Sequence, residues 1–513
     1  MESAGGQRGR DGGTQRRSPL DIILSQIRRK HTASDRKPLR RFLSQSSHQT
    51  GIPEDGEMEG REDRGQSPGV VEAASSEHDV GWGRVCVFLQ RLGKMADCRS
   101  LSVAHCDLTA TDLLELGESL SCIPLLEVVD LSWNSSVGGG GLQGLLGKLH
   151  PLLRELHLVA CQLTAADATV LGGVVSALPR LCVLNVSCNP QLTQEVDAGG
   201  FRELAASLSH ATSLTTLQLQ ACGLTVDCLA ALGASLRSLP SVRELDLSCN
   251  KSLAGGLDRL TLHLSHLTHL ESLDLHLCCL THSDLEALIQ VLPSLMALTD
   301  LDVSSNKEAG GMVHPLVSAL PLMQMRRLPL NSCSLSEESY TGLALAVPYL
   351  CSVDVSWCKV VGGHLALLLD ALQPSVILEL HLSSCELTSD DLHHLAAVCR
   401  RGCLSSLRVL DLSYNGSVGD EGWSALFAAG GLGSLEDVDL SLRPLTSASC
   451  SVWLPALLCA LPQLPALTRL RWAIGSQERE QLQHRLRNRS ILLEWDPDSI
   501  DEASLREQES PEE

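Results

Sequence analysis

Aromatic residues are scarce: seven Trp, four Phe and three Tyr in a chain of 513 residues, 3% in all. Rings cannot knit together a core of that size, so leucine, with valine and alanine, must fill it; apolar residues still reach 44%. A core of that kind suits a stack of similar small layers better than an irregular globule. Length points the same way, because a single core stops growing at roughly 250–300 residues.

Long apolar runs are missing too. None reaches the ~18 residues that a membrane-spanning helix needs. The opening MESAGGQRGRDGG is polar and glycine-rich, unlike a secretory signal segment. We therefore expect a cytoplasmic protein without a membrane span, whose 20 cysteines stay free thiols. The Asn-x-Ser tripeptides at Asn134, Asn185, Asn250 and Asn415 then belong to a repeated phrase and are not glycosylation sites. Positive charge is in short supply: 40 Lys and Arg against 61 Asp and Glu leave a net charge of −21. That balance disfavours nucleic acid or an anionic membrane surface as a general partner. Only the first 50 residues reverse it, with eleven Lys and Arg against four Asp and Glu.

The usual signatures of catalysis and cofactor binding are also lacking. Glycine clusters occur at 138–141, 255–256, 310–311 and 362–363, but none ends in the Gly-Lys-Ser/Thr that places a lysine and a hydroxyl on phosphate and magnesium. They recur just after one type of strand phrase, which is a turn position. No paired Cys-x-x-Cys offers zinc spacing, and no Gly-x-Ser-x-Gly offers a nucleophile. We expect no enzyme activity, no metal and no cofactor.

What is present is one short phrase, many times over. LDLSCN at 245–250 returns as LDVSSN at 301–306 and LDLSYN at 410–415; LHLVAC at 156–161, LQLQAC at 217–222 and LHLSSC at 380–385 alternate with it. Taking the last residue as marker gives Cys106, Asn134, Cys161, Asn189, Cys222, Asn250, Cys278, Asn306, Cys333, Cys358, Cys385, Asn415 and Arg443. The spacings run from 25 to 33, most of them 27 or 28. Each phrase alternates apolar and polar residues, which is strand periodicity. A helical stretch follows: Leu285, Leu288, Ile289 and Leu292 fall on one face. Thr-x-x-Asp pairs at Thr109–Asp112, Thr164–Asp167, Thr281–Asp284 and Thr388–Asp391 read as capping boxes with Asp in the Glu place. Prolines at 179, 240 and 293 stop the helices.

A unit of one strand and one helix cannot bury its apolar face alone, whereas stacked units can. Strands stack at about 4.8 Å and helices at about 10 Å, so the stack must curve with its strands inside. Repeats of L-x-x-L-x-L-x-x-C alternating with L-x-x-L-x-L-x-x-N resemble the ribonuclease-inhibitor subclass of leucine-rich repeats. That resemblance implies an α/β horseshoe solenoid, with parallel β-strands on the concave face and α-helices on the convex face. It also implies protein binding, and it carries no catalytic residue to transfer.

The expected organisation is a disordered leader over 1–79, an N-terminal cap helix over 80–96 and about thirteen repeats over 97–445. A C-terminal cap over 446–493 follows, with Leu467, Leu470 and Trp472 in a last strand, then an acidic disordered tail over 494–513. Two columns of the inner wall are candidate partner-binding residues. The centre of L-x-L supplies Asp130, Asp246, Asp302, Asp354 and Asp411, a line of carboxylates suited to a basic protein surface. The residue before the marker supplies Trp133, Trp357 and Tyr414, large rings in a chain with few. The expected function is a non-enzymatic interaction scaffold; the alternative is a ribonuclease-inhibitor-like binder of a basic enzyme. The pattern leaves partner identity and oligomeric state open.

Overall fold

The computed structural model describes residues 98–494, apart from 121–122, 195–198, 360, 442–451, 473–475 and 488. The expected leader and N-terminal cap helix, and nearly all of the acidic tail, lie outside the described residues.

The chain is a parallel solenoid. Its strands are β1 Ser100–Ser102, β2 Val128–Asp130, β3 Glu155–His157, β4 Val183–Asn185, β5 Thr216–Gln218, β6 Glu244–Asp246 and β7 Ser272–Asp274. They continue as β8 Asp300–Asp302, β9 Ser352–Asp354, β10 Glu379–His381, β11 Val409–Asp411, β12 Asp437–Asp439, β13 Arg469–Arg471 and β14 Leu492–Glu494. Each is three residues long because the phrase supplies one inward leucine or valine between two outward neighbours. In β6, Leu245 is buried while Glu244 and Asp246 face solvent. The register keeps these apolar centres in one line, as in Leu245↔Leu273 and Leu273↔Leu301.

Helices return the chain behind the sheet. In His282–Val291, Leu285 and Leu288 are buried, as is Leu292 just beyond, and Ile289 packs half-buried against the same core. All four predicted boxes close, at Thr164–Asp167, Thr281–Asp284 and Thr388–Asp391 and at Thr109–Asp112. Thr109 and Asp112 make the same pair of bonds, at 2.7 and 3.3 Å.

These aspartates also tie one coil to the one before. Asp284 accepts the N–H of Gly255 at 2.7 Å and of Leu257 at 2.9 Å; Asp391 accepts that of Gly363 at 2.9 Å. The glycine clusters at 138–141, 255–256 and 362–363 are therefore turns, whereas Gly310 and Gly311, expected to be a turn as well, lie in the 3-10 helix Lys307–Met312. Gly255 and Gly363 have φ of 77° and 82°, and their left-handed backbone points the amide at the next coil's cap. A glutamate would overreach this double duty, which explains the Asp in the box. Gly362 is needed for a different reason: a Cβ there would sit 2.0 Å from the carbonyl oxygen of Glu386.

The alternation of Asn and Cys is a relay of hydrogen bonds. Asn250 is buried; its Oδ1 accepts the N–H groups of Cys222 and Leu224 in the preceding coil, both at 3.0 Å. Its Nδ2 donates to the carbonyls of Leu219 and Leu247, at 2.9 and 2.8 Å. Asn134, Asn189, Asn306 and Asn415 repeat the arrangement. The cysteine thiols answer backwards: Cys278 Sγ donates to the Leu247 carbonyl at 3.2 Å, and Cys385 Sγ to that of Val355 at 3.2 Å. Burial pushes the Cys161 thiol up to about 12, so it stays a protonated donor at neutral pH.

The relay and the sheet both falter at one place. Strands β1–β8 form one sheet and β9–β14 another, joined through single-residue bridges of Arg327 to Asp300 and to Ser352. Pro329 has no N–H to give to the ladder, so no full strand forms there. Cys358 stands where the relay needs Asn. Its thiol donates to the carbonyls of Leu330 and Cys333, each 3.3 Å away, while the Cys333 N–H turns to its own Leu330 carbonyl at 3.2 Å.

At the C-terminal end the ladder runs beyond Leu445 through β13 and β14. Leu467, Leu470 and Trp472 are buried around β13 as expected. Glu494, assigned from the sequence to the acidic tail, instead closes β14, where Arg471 Nε donates to it at 3.0 Å. The run of acidic residues beyond it masked this strand. Rings replace leucine in these last coils: Trp423, Phe427, Trp453 and Trp472 stack with centroid distances from 4.7 to 6.4 Å.

Candidate partner-binding face

The L-x-L centres form one row across the inner wall, and all five candidate aspartates stand in it, half-buried. Their local role is common to the row. Each sends Oδ1 to the N–H two residues on: Asp130 to Ser132 at 3.0 Å, Asp246 to Ser248 at 2.9 Å, Asp302 to Ser304 at 2.8 Å, and Asp354 and Asp411 to Ser356 and Ser413 at 2.9 Å. The Asp-x-Ser of the repeat thus caps the exit of its own strand. One oxygen holds the turn, and the carboxylate charge remains at the wall.

The sequence selected alternate strands and passed over Asp274. The register sets Asp246, Asp274 and Asp302 side by side on β6, β7 and β8. Neighbouring parallel strands lie about 4.8 Å apart, so three carboxylates share one short stretch of wall. Burial first, then the charges of Asp302 and Asp246, push Asp274 up to about 7, against the N–H of His276. Burial also raises Asp246, Asp354 and Asp411 above the usual carboxylate range. The far end of the row is neutralised: Arg471 meets Asp437 at 2.8 Å, Asp439 at 3.3 Å and Glu494 at 3.0 Å. On the middle strands the charge of Arg327 offsets Asp274 only in part, since burial and its like-charged neighbours prevail.

The residues before the marker form a second row, and their backbone has a shared feature. His105, Trp133, Cys188, Cys249, Ser305, Trp357 and Tyr414 all have φ between 57° and 64°. This left-handed position turns the chain off the strand and throws its side chain outward. Trp357 is 53% exposed and Tyr414 37% exposed. The structure brings these two together: their centroids are 5.9 Å apart and the planes are tilted by 39°. Trp133 is not part of this pair. It stacks on His105 of the preceding coil at 5.4 Å and 9°, near the other end of the wall.

Among the described residues no group of His, Cys, Asp or Glu is arranged to hold a metal ion, and no helix is long and apolar enough to cross a membrane.

A leucine-rich repeat family model matches residues 266–288 and 403–427. A ribonuclease inhibitor of Sus scrofa is 32% identical over 392 residues, which cover 74% of this chain and 83% of that protein. The chain belongs to the ribonuclease-inhibitor type of leucine-rich repeat protein. A ribonuclease inhibitor of Mus musculus is 29% identical over 358 residues, or 68% of this chain and 76% of that protein. NACHT, LRR and PYD domains-containing protein 12 of Homo sapiens is 29% identical over 286 residues, which cover 54% of this chain but 26% of that protein. As a ribonuclease-inhibitor-type repeat protein, the chain is a protein-binding scaffold.

Proposed function

We propose that this chain is a non-enzymatic, cytoplasmic scaffold that grips a protein partner with a basic surface on its inner wall. The carrying observation is the in-register carboxylate trio Asp246, Asp274 and Asp302, half-buried on adjacent strands. A buried carboxylate gains most when a cation arrives to restore its charged form. The exposed pair Trp357 and Tyr414 adds ring surface of the kind that concentrates binding energy at interfaces. Trp133, with Asp130 in the same coil, offers a secondary contact. The acidity of the wall makes nucleic acid a poor partner.

The test is affinity capture with the wild-type chain and with a variant carrying Asp246→Asn, Asp274→Asn and Asp302→Asn. Basic proteins retained by the first and lost from the second support the reading. Identical captured sets at low salt overturn it.

A second reading has one observation in its favour, the 32% identity to a ribonuclease inhibitor. On that reading the basic partner is itself an enzyme. Titrating the chain into a pancreatic-type ribonuclease assay separates the two, since a scaffold for other partners leaves turnover untouched.

A further inference from the structure

The inner wall over β9, β10 and β11 carries three parallel rows of different chemistry. The first row is Asp354, His381 and Asp411, set opposite one another by the strand register. Two residues on, the second row is Ser356, Ser383 and Ser413, small side chains tied flat to one another. Ser383 and Ser413 hydroxyls lie 2.8 Å apart, and the Ser383 N–H donates to Ser356 Oγ at 3.2 Å. The third row is Trp357, Ser384 and Tyr414, where the two rings meet across the small Ser384. The rows therefore describe a shallow strip with an acidic edge, a polar floor and an aromatic edge.

We propose that this strip is a seat for one arginine side chain of a protein partner. The inference rests on the reading of the inner wall as a partner-binding face, and it names the group that the wall takes at this point. Each row selects for it. Ring faces attract a cation and stack on a planar guanidinium, which a compact ammonium cannot match. The serine side chains are 2–7% exposed and tied to one another, so none stands up between the acidic edge and the rings. The carboxylates of Asp354 and Asp411 each have one oxygen committed to a serine N–H, and their charge lies at the far edge of the strip. His381 between them turns towards Glu379, 3.7 Å away. The three rows themselves contain no lysine or arginine, and Lys359 is exposed two residues beyond Trp357.

The trio on β6 to β8 has the charge but no rings, and Trp133 has a ring partner but a single carboxylate in its coil. Among the described strands β9 to β11 alone combine both, so a preference for arginine over lysine is assigned to this strip.

The test uses the full chain with hexa-arginine and hexa-lysine peptides of equal charge, each carrying a terminal fluorophore, in anisotropy titrations at low ionic strength. Arginine is expected to bind about fivefold more tightly than lysine, as an exposed ring–cation contact implies. In Trp357→Asn with Tyr414→Asn the two peptides become equal. Asparagine is chosen because it tolerates the left-handed backbone of this position, and an unchanged melting temperature verifies the fold. Asp354→Asn with Asp411→Asn weakens both peptides. Equal binding of the two peptides to the wild type, with loss on the aspartate substitutions, overturns the arginine seat and leaves the basic-partner reading standing. So does a preference that survives removal of the rings. No binding of either peptide overturns both.

Discussion

Trp357 and Tyr414 meet in a tilted pair although a whole coil separates them. Their centroids lie 5.9 Å apart because Ser384, the residue between them in the row, is too small to hold the rings apart. Both sit at left-handed positions that aim side chains away from the core. Rings at this separation and tilt interact by about 0.5–1.5 kcal/mol beyond area burial. A double-mutant cycle of Trp357→Ala and Tyr414→Ala in urea denaturation is expected to return a coupling within that range. Additive effects within error mean that the rings are merely near each other.

Asn250 carries more of the fold than any exposed residue. Its amide serves the N–H groups of Cys222 and Leu224 and the carbonyls of Leu219 and Leu247, all shielded from water. Asn250→Ala strands several buried polar groups together, and each costs about 1–3 kcal/mol when unsatisfied. A loss of about 3–5 kcal/mol in denaturant unfolding is expected. Asn250→Asp retains the acceptor but removes both donors and adds a buried charge, so it recovers little. A loss below about 1 kcal/mol for Asn250→Ala means that water or a neighbour replaces the relay.

The place where the ladder breaks has a dynamic consequence. Arg327 contributes single bridges on either side, Pro329 contributes no N–H, and Cys358 replaces the relay amide with a thiol. Local opening follows the least protected backbone. Hydrogen exchange over 326–335 is expected to run about tenfold faster than over 244–250, and Pro329→Val to slow it. Equal protection of the two segments, read by mass spectrometry, contradicts a weak seam.

The repeat was legible because leucine spacing reports burial directly: Leu245, Leu273 and Leu301 had to line up for any of them to be covered. The caps were legible for the same local reason, since Thr281 and Asp284 need only each other. What escaped depends on neighbours in the next coil. Asp274 sits on a cysteine-type strand and counts in the sequence only as a polar neighbour in the column, but the register and its burial between Asp246 and Asp302 push it up to about 7. The touching of Trp357 and Tyr414 depends on the size of Ser384. The strand Leu492–Glu494 was hidden by the acidic stretch after it, although Arg471 gives Glu494 a partner. Trp423, Trp453 and Trp472 were not read together, because a stack of rings closing the last coils leaves no mark in leucine periodicity.

The trio Asp246, Asp274 and Asp302 gives the fold a pH dependence of definite sign. Asp274 stands near 7 in the folded chain because burial and two like-charged neighbours disfavour its ionised form. Its ordinary value is 3.8, so the folded state binds the proton more tightly than the unfolded one. The stability this contributes is full below pH 4 and is lost as pH rises through about 7. Screening at the half-exposed wall limits the effect to about 1–2 kcal/mol. Wild type is therefore expected to melt at a higher temperature at pH 5.5 than at pH 8, while Asp274→Asn narrows the gap. Asp284 is a built-in contrast: burial opposes it, but hydrogen bonds from Gly255, Thr281 and Leu257 hold it below the usual range. Its stabilisation is present at neutral pH and lost on acidification, so Asp284→Asn must flatten the pH dependence below about 4 and leave that between pH 4 and 7 alone. If Asp274→Asn changes stability only below pH 4 and not between pH 4 and 7, the assignment of this proton to Asp274 is wrong.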